Sequence, residues 1–461
     1  MAPRRPRGIP PPQCGKPVRL LKQVSELARE AGDERNRYAD FLRAVSIVLV
    51  VVGHWIVIDL ELDSDIPEGI NALAQSSWIH WGTWAFQVIP LFFLVGGYAN
   101  AVSWRHHRDE GYTWASWLRR RTLRLLWPTA IFVTAGLVFT PLASLWDVPV
   151  AILSEAAWAI AIILWFLAVY LAIAVVTPLS FRAHERWGIG FVLLLIALVA
   201  GVDAIRFLGE VDLVAYVNYA LVWGAFHQVG YLWADGELPS LPSLAVGVVI
   251  SLTAAFALVN WGPYPVSMVS VPGAEVQNTA PPTLALLMVG VAQIGFVLAL
   301  RQLVRPRLEG DSNLWRATVA GNVAIMTVFL WHVVPVLVLA WILSTLGVSL
   351  PSPPGSFSWL AFQPIWILML AVLLIPIVLV VRHGERPPEK LEKLASRETT
   401  GWSPLALGLG GVAIACVGLA RLTLAGFWVG EPTVIPVWGA LAFFVGGIIV
   451  LGTGSLGKAP R

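Results

Sequence analysis

RYADFLRAVSIVLVVVGHW, residues Arg37 to Trp55, is the stretch on which the reading of this chain turns. It opens as a charged ramp and becomes an apolar helix with one histidine well inside it. Arg43 and His54 are eleven positions apart. At about 100° per residue that separation is close to three whole turns, so the two share one face with roughly 16 Å of helix between them. Asp40 lies near the same stripe, one turn before Arg43, where a carboxylate also suits a helix N-terminus. The pattern reads as an ion pair at a membrane surface with a titratable base above it, near the bilayer midplane. The plainer reading makes Arg43 a topology anchor and Asp40 a helix start. It serves those two residues well and His54 poorly, because ionisable groups at bilayer depth are costly and tend to mark sites.

The rest of the chain agrees with a membrane setting. Of 461 residues, 57% are hydrophobic, 13% are charged and 23 are Trp, which describes an all-α, polytopic membrane protein and excludes an ordinary soluble enzyme. A net charge of +3 gives no argument for nucleic-acid binding, since topology distributes the basic residues. Cys14 and Cys416 are too far apart in sequence and too different in setting to suggest a disulfide or a thiolate metal site. No metal and no permanently bound cofactor is expected. The first apolar run begins after residue 43 and continues as a full span, so no cleavable signal is expected.

Hydropathy divides the chain into twelve expected spans, at about 43–60, 83–103, 125–144, 157–179, 188–203, 213–233, 241–260, 283–300, 317–346, 361–381, 405–421 and 434–452. Each approaches the ~20 residues that cross hydrocarbon, and the ninth is long enough to tilt or break. Residues 1–36 form an N-terminal segment, Pro- and Arg-rich to residue 18, in which Arg19 to Ala31 has the pattern of a surface amphipathic helix. Residues 37–381 form a membrane core, 382–404 a charged linker, and 405–461 two further spans with a short tail. With these spans, 29 of the 31 Lys and Arg fall on one side. The opposite loops hold Arg206, Arg421 and a run of acids including Asp59, Glu61, Asp63, Asp65 and Glu68. The positive-inside rule then places both termini in the cytoplasm. Loop 234–240 is assigned inside with no Lys or Arg.

Further motifs follow in order. Pro90 to Asn100, PLFFLVGGYAN, ends the second span with Gly96-Gly97, which lets a helix or a ligand approach the backbone closely. Trp117 to Pro128, WLRRRTLRLLWP, gathers Arg120, Arg121 and Arg124 at the foot of the third span. Guanidinium groups pair with phosphates, although by itself such a cluster is better explained as a topology anchor. Leu164 to Tyr170, LWFLAVY, reads as packing aromatics. Phe329 to His332, FLWH, puts a second histidine roughly 24 Å along the ninth span from Arg316. His227 is a third, mid-span. Each could be a structural histidine bonded to a neighbouring helix; together they suggest helices surrounding a polar pathway.

Taken in sequence, Arg43-x10-His54, the Phe92-Phe93 stretch leading to Gly97, the Arg120-Arg121-x-x-Arg124-x-x-x-Pro128 cluster, the Trp165-Phe166-Leu167 segment and the late Leu330-Trp331-His332 resemble acyltransferase family 3. Members are bacterial integral membrane enzymes that move acyl groups, often acetyl, from cytoplasmic acyl-CoA to a hydroxyl of an envelope glycan, lipid or secondary metabolite. The resemblance covers residues 37 to about 381, the family's ten-helix core. It implies that His54 is the essential histidine, as general base or acyl relay, with Arg43, paired to Asp40, as its partner. It implies that Arg120, Arg121 and Arg124 meet the CoA phosphates, and that His332 occupies a further site position. Acyl-CoA would be co-substrate, and the plasma membrane the location. Many members have Ser-Gly where this chain has Gly96-Gly97; the last two spans lie outside the family core, and the extracytoplasmic hydrolase domain that some members carry is not expected here. Two other classes fit part of the pattern. A transporter or flippase for an envelope precursor would also place histidines and glycine pairs deep in the membrane, but no repeated half-sequence is visible. A scaffold would tolerate loss of every buried His and Arg.

Overall fold

The computed structural model describes residues 36–61, 68–146, 149–351, 353–428 and 436–456; the expected amphipathic helix at Arg19 to Ala31 lies outside these. The principal helices are α1 (Arg37–Val57), α2 (Ile89–Asp109), α3 (Trp114–Ala143), α4 (Val150–Ala161), α5 (Leu164–Val175), α6 (Ile189–Gly209), α7 (Asn218–Asp235), α8 (Leu241–Trp261), α9 (Leu284–Val304), α10 (Asn313–Val323), α11 (Ile325–Trp331), α12 (Val334–Leu346), α13 (Phe357–Val381), α14 (Trp402–Ala425) and α15 (Val437–Gly452). Many begin on a short polar side chain that takes an otherwise orphaned N–H. Asn36 caps α1 through Ala39 N–H at 3.1 Å. Thr113, Ser240, Thr283, Ser312 and Ser356 do the same for α3, α8, α9, α10 and α13.

The described residues contain ten helical segments long and apolar enough to cross a membrane, or eleven if a bent pair counts as one span. The bent pair is α10 and α11, which meet at 58° inside the long ninth span. Asn322 turns its amide back on the Thr318 carbonyl at 2.9 Å, a side-chain bond that competes with the helical ladder and bends it. The remaining expected span, 213–233, is the helix α7, which does not meet that measure. Twelve is therefore not reached by length and composition alone. The physical reason is burial: Trp223, Phe226, His227, Gln228 and Tyr231 are all enclosed by neighbouring helices, so α7 need not dissolve in lipid.

One further departure is a two-stranded hairpin, β1 (Ile58–Glu61) against β2 (Glu68–Asn71), where a plain loop was expected. It starts directly after α1 and buries Leu60.

Glycines set the tightest crossings. A Cβ at Gly97 would collide with the carbonyl oxygen of His227, and one at Gly230 with that of Leu94. The α2–α7 crossing therefore exists only because both positions lack a side chain. In the last two helices, Gly411, Gly418 and Gly446 form a comparable seam between α14 and α15. That pair packs onto the core: Cys416 Sγ lies 3.4 Å from the Ala168 carbonyl of α5, and Phe427 covers Gly136 of α3, 5.8 Å from the Phe132 ring.

Gly97→Val will lower stability by about 1–3 kcal/mol or more through overpacking. Gly224→Ala on α7, with open space around its Cβ, will stay within about 0.5 kcal/mol of wild type. Tryptophan-fluorescence unfolding of the detergent-solubilised chain measures both.

Candidate active site

His54 and His332, 278 positions apart, meet ring to ring. The centroids are 5.0 Å apart with planes tilted by 24°, and His332 Nε2 is 3.0 Å from His54 Nδ1. Hydrogen-bond polarity follows from the other end of the pair. His332 Nδ1 is 2.7 Å from the Phe329 carbonyl oxygen, which can only accept. Neutral His332 therefore carries its proton on Nδ1, its Nε2 accepts from His54 Nδ1–H, and His54 Nε2 keeps a free lone pair. His332 is fully buried while His54 is exposed. The inner imidazole thus orients the outer one, and the outer one presents a basic nitrogen. His54 lies in the last turn of α1, nearer the end that carries the acidic hairpin than the midplane position expected from sequence, because α1 already starts at Arg37 and stops at Val57.

An aromatic wall joins this pair to the arginines. His332 is 6.4 Å from the Phe329 ring, Phe329 is 5.4 Å from Phe166, and Phe166 stacks on Tyr170 at 5.8 Å. Tyr170 then accepts Arg121 Nη2 on its hydroxyl at 3.0 Å. Gly96 makes this possible, since a Cβ there would press on the Tyr170 ring at 2.7 Å.

Arg120, Arg121 and Arg124 line one cavity of about 210 Å³, with Ser103, His106, His107, Glu110 and Trp117. Successive positions on a helix differ by about 100°, which divides the arginine run. Arg119 points away and is wholly buried, donating to the Ala395 and Arg397 carbonyls and to Thr399 and Thr453 hydroxyls. Arg120 Nη2 donates to His107 Nδ1 at 3.0 Å and lies over the Tyr112 ring at 5.1 Å. His107 Nε2 donates to the Thr113 carbonyl at 3.0 Å, which sets its tautomer to receive Arg120. The cavity gathers three guanidiniums around space and suits a multiply charged anion. No cluster of residues suited to a metal ion occurs among the described residues.

Arg43 pairs with Asp40 at 3.2 Å, as the spacing suggests. Its Nε also donates to Asn322 Oδ1 at 2.6 Å, and Asn322 Nδ2 donates to the Asp40 carbonyl at 2.8 Å. This junction fastens the start of α1 to the broken helix. His227 is buried and hydrogen-bonded to Asn100 Nδ2 at 2.9 Å, the structural arrangement, between α7 and α2. Three residues escaped the sequence reading: Asn322, Tyr170 and His107. An asparagine inside an expected span is itself a signal. The others carried none that separated them from packing aromatics and loop polar groups.

Residues 36–381 match the family described as acyltransferase domain. No curated protein and no solved structure matches the chain.

The Arg43–Asn322 junction yields a prediction that involves no chemistry. Asn322→Ala removes an acceptor from a charged donor and a donor from a carbonyl, which will cost about 1.5–3 kcal/mol of stability. Asn322→Asp, which keeps the acceptor, will cost less. Thermal unfolding in detergent compares them.

Proposed function

The chain belongs to the acyltransferase family matched by residues 36–381, and from that premise we propose that it moves an acyl group, acetyl first among candidates, from cytoplasmic acyl-CoA to a hydroxyl of an envelope glycan, lipid or related metabolite. It is a multi-pass membrane protein, and the asymmetry of Lys and Arg favours placing the arginine-rich end in the cytoplasm, with both termini. The observation that carries the reading is the meeting of His54 and His332 at 3.0 Å, with His332 Nδ1 held against the Phe329 carbonyl.

The donor's phosphates sit among Arg120, Arg121 and Arg124, and its pantetheine arm runs along the Tyr170–Phe166–Phe329 wall to bring the thioester to His54. The acceptor enters from the acidic end, close to the last turn of α1. His54 Nε2 takes the hydroxyl proton as the acceptor oxygen attacks the thioester carbon. The carbon–sulfur bond breaks, and the CoA thiolate leaves with the proton returned from Nε2–H. His332 receives His54 Nδ1–H throughout, holding the ring and stabilising the imidazolium through the aligned Phe329 carbonyl. A covalent route uses the same atoms. His54 Nε2 attacks the thioester, the CoA thiolate departs, and Nδ1–H passes its proton to His332, leaving a neutral acyl-imidazole for the acceptor to cleave. The contacts of Arg43 and Asp40 favour a role in holding the helix foot against α10 over contact with reacting atoms.

Purified chain in detergent, given acetyl-CoA and extracted envelope acceptors, will release free thiol. His54→Ala will abolish that release with expression and insertion unchanged. His332→Ala will lower kcat roughly 10²-fold with little change in KM. Replacing Arg120, Arg121 and Arg124 together by Gln will raise the acetyl-CoA KM about tenfold or more. Full activity of His54→Ala overturns the assignment. Mass spectrometry of the envelope with and without the gene identifies acyl group and acceptor together.

A further inference from the structure

The residues beyond the family match come up against Arg120, one of the arginines that line the cavity. Glu398, in the stretch between α13 and α14, has one carboxylate oxygen bonded at the N-cap of α3, accepting Thr113 N–H at 3.2 Å and Thr113 Oγ1–H at 3.0 Å. The other oxygen is buried with no hydrogen-bond partner and stands 4.0 Å from Arg120 Nη2. Arg119, one residue before Arg120, locks this stretch in place through Ala395, Arg397 and Thr399, and ties Thr453 beyond α15 to the same point. The side chains around Arg120 from the neighbouring elements are His107 and Glu110 of the α2 end, Tyr112 and Thr113 of the turn, and Glu398.

We propose that Glu398, supplied by the C-terminal extension, is a positioning residue of the donor site that sets the aim and the net charge of Arg120. The inference rests on the acyl-CoA reading above. The helix start gives the carboxylate a fixed seat, because an anion suits both the N-cap N–H and the helix dipole. From that seat its free oxygen holds the Arg120 guanidinium at a distance just beyond a hydrogen bond. Arg120 is thereby kept beside the cavity mouth when no anion is bound, and part of its charge is offset. An arriving phosphate competes with Glu398 for the same guanidinium. The last two helices are thus a working part of the donor site, and Arg119 is the fastening that transmits their position to it.

The test separates charge from tether. Glu398→Gln keeps an oxygen for Thr113 and removes the negative charge. In the full-length chain in detergent, its KM for acetyl-CoA will fall roughly two- to fivefold, the size of a partly exposed ion pair, with kcat unchanged. Its KM for S-acetyl-pantetheine, which carries no phosphate, will not move. Glu398→Ala loses the seat as well, and its acetyl-CoA KM will rise above that of Glu398→Gln at equal folded fraction. A merely structural Glu398 changes both donors alike at equal folded fraction, and that result overturns the proposal, as does an unchanged acetyl-CoA KM in Glu398→Gln. If wild type neither binds nor turns over acetyl-CoA, the acyl-CoA reading falls first, which distinguishes the two failures.

Discussion

The hydrogen bond between two imidazoles contributed by the ends of α1 and α11 demands that three helices be held in register. Two indoles do that. Trp55 Nε1 donates to the His332 carbonyl at 2.7 Å, and Trp366 Nε1 donates to the Trp55 carbonyl at 2.8 Å. The first of these bonds needs a free carbonyl inside what would otherwise be a continuous helix. The interruption between α11 and α12 provides it. Pro335 lacks an N–H, and Val336 N–H turns to the Val333 carbonyl at 3.0 Å, so the His332 carbonyl is released from the helical ladder. Pro335 and the gap between α11 and α12 thus let Trp55 pin α1 to α11, and the pinned backbones set the rings face to face. A buried carbonyl left without a donor costs about 1–3 kcal/mol, so the indole both satisfies the backbone and registers the site.

From that pair the structure spreads toward two ends of unlike character. The acidic hairpin follows α1 within a few residues, while the arginine cavity lies beyond the aromatic wall. The wall is narrow in its requirements. Gly96 must be small so that Tyr170 can stand against α2, and Tyr170 must stand there so that its hydroxyl takes Arg121. The steric argument uses only the missing side chain at Gly96.

What could be read from the chain depended on whether its signal was local. The Arg43–His54 spacing, the Asp40 pair and the clustering of Arg120, Arg121 and Arg124 are properties of single helices, and a helical wheel contains them. Helix positions were legible for the same reason, since hydropathy is summed along one segment. The encounter of His54 with His332 joins residues 278 positions apart, and no local pattern specifies a partner at that range. Tyr170 was invisible because one tyrosine among packing aromatics looks like the rest. The place of His54 within its helix differs from expectation because the span was set at 43–60, whereas α1 runs from Arg37 to Val57 and is capped by Asn36. The hairpin escaped because four residues a side give too short an alternation to stand out.

The arginine run shows why a topology signal and a site signal need not be alternatives. Positive-inside placement asks only for charge near one end of a span; it does not say where each side chain points. Helical rotation then divides the work. Arg119 turns into protein and is fully buried, where every N–H must find an acceptor because an unmatched buried guanidinium is prohibitively costly. The acceptors are mainly backbone carbonyls and hydroxyls beyond residue 381, so its burial requires that the C-terminal segment be in place. Arg120 and Arg121 turn the other way, into space lined by few opposing charges. A cluster kept solely for orientation would face water or headgroups at each position. Here one arginine is spent as a clamp and its neighbours are left ringing a cavity, an arrangement that favours an anionic ligand and ties its site to the last two helices.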